Sequence, residues 1–70
     1  MNFTLEKFQN KMAVAMAVPI LIIECEQMAD NGCSPKAITE VLRIGCKFYG
    51  KTAICNELNK NTKLLKYLSK

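Results

Sequence analysis

The chain has no histidine and no tryptophan, and its 70 residues include only three glycines, two prolines, three phenylalanines and two tyrosines. Without histidine, no ordinary Ser–His or Cys–His catalytic pair can be assembled, and zinc loses its usual nitrogen ligand. Four cysteines remain (Cys25, Cys33, Cys46 and Cys55), but no two stand at C-x-x-C spacing. The expectation is therefore no metal and no cofactor. Cys46 borders an apolar helix face and reads as a structural thiol, although Lys47 beside it would favour the thiolate. Glu24 and Glu26 would leave a helix on different sides and do not form a paired-carboxylate site. No catalytic residue is assigned, and a non-enzymatic protein is expected.

Length excludes as much as composition does. The segment Gly45-Cys46-Lys47-Phe48-Tyr49-Gly50-Lys51-Thr52 satisfies the G-x-x-x-x-G-K-[ST] pattern of a phosphate-binding loop. A working loop of that kind needs a buried strand before it and a parallel sheet around it, on the order of 150 residues in all. Here the preceding stretch has helical period instead, and bulky Phe48 and Tyr49 would fill the space where backbone must curl around phosphate. The preferred reading makes Gly45 a close helix contact, Gly50 a helix C-cap and Thr52 the cap of the next helix. The motif then marks a corner between two helices.

Half of the residues are hydrophobic, and nothing reads as a long strand. The expected architecture is all-α, a single helical domain over residues 1–70 built as a small three-helix bundle. The first helix spans about residues 4–31, with Thr4 as its cap, Phe3 and Phe8 as a hydrophobic staple and Glu6 in its first turn. Residues 12–23 are apolar on every side of a helix, which suits an element surrounded by neighbours. As a helix they cover about 18 Å, too short for a bilayer core of about 30 Å. Pro19 predicts a kink, or a division near Val18. Asp30-Asn31-Gly32 is a stop signal, and Ser34-Pro35 a cap followed by proline at the first helical position.

The second helix is expected over residues 35–49. Lys36, Thr39, Glu40, Arg43 and Lys47 share one polar arc, while Ile38, Val41, Leu42, Gly45, Cys46, Phe48 and Tyr49 occupy the rest. The third is expected over residues 52–68, with Ile54, Leu58, Leu64, Leu65 and Leu68 as its apolar face. Asn61 interrupts that face. It reads either as a buried register-setting asparagine or as a break at Asn59-Lys60-Asn61.

Charge is uneven along the chain. Lys47, Lys51, Lys60, Lys63, Lys66 and Lys70 stand against Glu57 alone in the last third, whereas the preceding residues carry one more acid than base. Such a segment is a solvated lysine face or a contact for anions.

Three function classes follow. The leading one is a small helical interaction protein, an adaptor or inhibitor that binds a partner protein or self-associates through an apolar face of Met12, Met16, Ile20 and Ile23. Oligomerisation is expected, because a half-apolar chain this short has little polar surface to cover it. The second is a basic nucleic-acid-binding regulator using Lys60, Lys63, Lys66 and Lys70. Residues 53–59 and 62–68 loosely match a helix-turn-helix, but Lys60 stands where the turn wants an apolar residue.

The third class is a secreted, disulfide-bonded, membrane-active peptide. Lys7 and Lys11 ahead of residues 12–23 loosely match a signal peptide, yet Glu24-Cys25-Glu26-Gln27 offers no small-residue cleavage site. Reduced thiols and a cytoplasmic location are therefore expected, with no membrane partner and no small-molecule substrate. The abundance of lysine, asparagine and isoleucine suits an AT-rich genome such as that of a phage or other mobile element.

Overall fold

A computed structural model describes the backbone of residues 2–69 and the side chains of residues 13–69. Among the described residues, four helices follow one another: α1 (Asn2–Asp30), α2 (Pro35–Tyr49), α3 (Lys51–Asn59) and α4 (Thr62–Leu68). The all-helical expectation holds, and the three-helix count does not.

α1 is a single element. It runs through Pro19 without dividing near Val18, although proline withholds the amide that would bond the carbonyl one turn earlier. The helix also extends past Thr4, which lies inside it rather than capping it. The Phe3–Phe8 staple, Glu6 and Met12 fall outside the described side chains.

α1 ends as its sequence predicts. Cys33 N–H donates to the Met28 carbonyl at 2.9 Å and Gly32 N–H to that of Ala29 at 3.0 Å. These two bonds form a Schellman motif, whose left-handed position is held by Gly32 at φ 86°. The chain reverses there and α2 starts at once. Ser34 Oγ accepts from Ala37 N–H at 3.1 Å, and Pro35 occupies the first turn. α1 and α2 are therefore an antiparallel pair joined by a short turn.

The corner between α2 and α3 is a single residue. Gly50 N–H donates to the Cys46 carbonyl at 3.0 Å, and its own carbonyl accepts from Ile54 N–H at 3.2 Å. Its φ of 95° and ψ of 138° suit glycine and strain any residue with a Cβ. Gly50 thus serves both helices. The expected cap, Thr52, lies within α3, which has no side-chain cap.

The segment expected as one third helix breaks at Lys60–Asn61. Asn61 N–H bonds the Leu58 carbonyl at 2.9 Å, while its side-chain oxygen accepts from Leu64 N–H at 3.0 Å. Asparagine competes with the helix ladder through such local bonds, so it ends α3 and caps α4. Of the two readings of Asn61, the break is the one that holds.

All four helices contribute to one core. Val18, Ile22 and Cys25 come from α1, Ile38 and Leu42 from α2, Ile54 from α3 and Leu64 from α4. Gly45 lies buried where three helices meet. A Cβ at that position would stand 2.6 Å from Leu21 Cδ2 and 3.3 Å from Ile54 Cδ1. The first glycine of the phosphate-loop pattern is therefore a close-packing residue inside α2, with no strand ahead of it.

Candidate functional site

α1 presents apolar residues to both of its sides, and its own chain covers one of them. Val18, Ile22 and Cys25 are buried, while Met16, Ile20 and Ile23 are 66%, 55% and 52% exposed. The exposed three sit at i, i+4 and i+7, which is one stripe of a helix. Three of the four residues assigned from sequence to an interaction face thus lie together in solvent, and the fourth, Met12, lies outside the described side chains.

α2 adds two residues that the sequence reading did not assign. Phe48 is 77% exposed and Ile44 45% exposed. The sequence places Phe48 outside the polar arc of α2, with residues that the core buries. The packed side of α2 is that of Ile38, Leu42 and Gly45, against α1, α3 and α4, and Ile44 and Phe48 lie around the helix from it. Gly45 and Leu21 mark the seam between the antiparallel helices. In such a pair, the residue preceding the contact on each helix turns to the same side of the seam, because the two chains run in opposite directions. Ile20 and Ile44 are those residues. Met16 and Phe48 stand one turn further along the same side, away from the α1–α2 turn. The result is a two-helix apolar face of Met16, Ile20, Ile44 and Phe48, with Ile23 continuing it around α1.

The middle of the α1 part of this face is uncharged. No acidic or basic residue occurs between Lys11 and Glu24. On α2, Glu40 and Lys47 stand one turn to either side of Ile44, and Glu40 is paired with Arg43 on an exposed surface. That hydrogen bond holds the Glu40 carboxyl below its ordinary range and raises the Arg43 guanidinium.

The lysines assigned to anion contact are divided by the break at Asn61. Lys60 is the C-cap of α3 and lies 3.8 Å from Glu57. Lys63 folds onto α1, 3.0 Å from Asp30 and 3.9 Å from Glu26. Its hydrogen bond to Asp30 raises its pKa, so it stays a cation throughout the physiological range. Lys66 lines the same region as Lys63, a cleft of about 360 Å³ bounded also by Glu26, Ala29, Asp30, Leu64 and Tyr67. Lys70 lies outside the described residues. Lys60 and Lys63 thus already face carboxylates, and the basic segment is not one continuous cationic stripe.

α4 is tied to the bundle from both ends. Leu64 is fully buried, and the Tyr67 hydroxyl donates to the Cys33 carbonyl at 2.6 Å. All four cysteines are free thiols. Burial, with a smaller contribution from Glu24, pushes the Cys25 thiol pKa up, which suits an inert core residue.

Among the described residues, no group of acidic or cysteine side chains could hold a metal ion, and no helix is long and apolar enough to cross a membrane. Comparison with protein-family models, with curated proteins and with solved structures finds no match for this chain.

Proposed function

We propose that this protein is a non-enzymatic interaction module, an adaptor or inhibitor that works by binding protein through the outer face of α1 and the adjoining flank of α2. One observation carries the reading. Met16, Ile20, Ile23, Ile44 and Phe48 stay between 45% and 77% exposed although the core is complete without them. Scattered exposed apolar residues need no explanation, but five on neighbouring faces of two packed helices mark an interaction site. Methionine and isoleucine at i, i+4 and i+7 are the anchor pattern of helix-in-groove or helix-on-helix recognition, and methionine adapts to the shape it meets. A cytoplasmic setting accords with the free thiols.

Nucleic-acid binding through Lys60, Lys63, Lys66 and Lys70 has weaker support, since Lys60 and Lys63 are already beside carboxylates. The two readings separate in one experiment. The immobilised chain and its Ile20→Lys variant are each exposed to an extract containing both protein and nucleic acid. Protein, further copies of this chain included, should be retained by the wild type and lost by the variant. Equal retention by both, or retention abolished by nuclease, refutes the proposal.

A further inference from the structure

We infer that the occupant of this face is a second copy of the same chain, packed antiparallel so that the two α1 helices cross near Ile20 about a two-fold axis. This rests on the reading that the face binds protein, and adds what it binds.

Three features point to a like partner. The first is area. Five large side chains, each about half to three-quarters exposed, leave on the order of 500 Å² of apolar surface in water, the upper range for a monomer. Two such faces with their polar rims bury close to the ~1,600 Å² of a standard stable interface. The second is the pattern along α1. Met16, Ile20 and Ile23 form a helix-pairing stripe opposite the buried Val18, Ile22 and Cys25, so α1 carries two seams and its own chain fills one.

The third is charge. Residues 12–23 are uncharged, so two copies meeting there bring no like charges together. Beyond that stretch, the exposed Glu24 follows Ile20 by one turn of α1, while Glu26 and Asp30 face Lys63 of α4. Parallel pairing about Ile20 would set Glu24 beside its own counterpart, whereas antiparallel pairing sets it near Met16 of the second copy. A two-fold arrangement also makes the contact self-complementary, with Met16 at the level of Ile23 of the second copy and Ile20 beside its own counterpart.

Sedimentation equilibrium of the full chain tests this, with helix content monitored by circular dichroism. The wild type should show the dimer mass at about 100 µM, well above a micromolar dissociation constant. Ile20→Lys and Ile20→Glu should each weaken association at least tenfold with unchanged helicity, and their equimolar mixture should recover the dimer. Met16→Lys mixed with Ile23→Glu should also recover it, whereas Met16→Lys mixed with Met16→Glu should not. A monomeric wild type overturns this inference and leaves the broader reading to stand on the capture experiment. Recovery by the Met16→Lys and Met16→Glu pair overturns the antiparallel arrangement. A dimer undisturbed by Ile20→Lys overturns both the inference and the assignment of the face.

Discussion

Replacing Gly45 by valine tests how tightly the bundle is closed. A Cβ at that position lies 2.6 Å from Leu21 Cδ2 and 3.3 Å from Ile54 Cδ1, where carbon atoms in good contact stand about 3.5–4.0 Å apart. Leu21 is half-buried, and the end of its side chain can turn away. Ile54 is 2% exposed and has nowhere to go. Alanine at this site gains about 1 kcal/mol of helix propensity over glycine, which offsets much of an overpacking cost of about 1–3 kcal/mol. Valine recovers only about half of that propensity and adds two further methyl groups where the helices meet. A net loss of about 2–4 kcal/mol is expected for valine, against about 4–10 kcal/mol of total stability for a domain of this size. At about 4–8 °C per kcal/mol, Tm should fall by about 10 °C or more.

The assay is thermal unfolding followed by circular dichroism, in an Ile20→Lys background so that association does not contribute to Tm. Adding Leu21→Ala to Gly45→Val should recover part of the loss, with a coupling of about 0.5–3 kcal/mol between contacting sites. A Gly45→Val variant as stable as its parent, or one indifferent to Leu21→Ala, would refute the close-packing role of this glycine. If such a variant lost nucleotide binding on Lys51→Ala, the phosphate-loop reading would return.

Two further outcomes follow from the caps and the core. Asn61→Ala removes the acceptor for Leu64 N–H and should cost about 1 kcal/mol, the usual loss at an N-cap, with α4 showing faster amide exchange than α1 or α2. Equal exchange across the helices would show that Asn61 does not hold α4. Thiol titration should find Cys25 the slowest of the four cysteines, because it is fully buried and its thiolate is disfavoured by burial. Its modification rate should follow global unfolding in denaturant; rapid labelling of Cys25 in the native protein would contradict its core position.

Local chemistry was the legible part of this chain. Gly32 after Asp30-Asn31, Ser34 before Pro35, and Gly50 after Tyr49 each place a helix end where the structure has one, because capping depends on a few adjacent residues. Asn61 was legible as an anomaly without being decided. An asparagine in an apolar stripe can be buried or can end a helix, and the choice depends on whether Leu64 packs better after a break. Thr4 and Thr52 misled for the same reason: a threonine can cap, but whether the helix begins there depends on the preceding backbone. At Gly50 the turn brings α3 in one residue ahead of Thr52 and leaves its hydroxyl no capping role.

The candidate face was legible only in part. Residues 12–23 announce an apolar helix without saying which side its own chain covers. Met16, Ile20 and Ile23 could be read as an outer stripe, but Ile44 and Phe48 could not. A helical wheel gives the width of an apolar arc, and only the packed fold gives the number of neighbours available to cover it. α2 has Leu21 and Ile54 against Gly45, whereas Phe48 stays 77% exposed.

The most direct measurement of whether the outer face of α1 is the contact between two copies of the chain is the solvent exposure of the Met16 ε-methyl, read by nuclear magnetic resonance. Isotope-labelled methionine in the full chain gives four methyl signals; with a soluble paramagnetic probe, Met16 reports on the face and Met28 on the core. Met16 is 66% exposed, while Met28 packs against the buried cluster. The account predicts that Met16 is broadened by the probe in dilute protein and becomes protected as concentration rises. In the Ile20→Lys variant it should stay broadened, and Met28 should be protected throughout. A Met16 signal equally broadened at every concentration, or equally protected in the wild type and in Ile20→Lys, would contradict it.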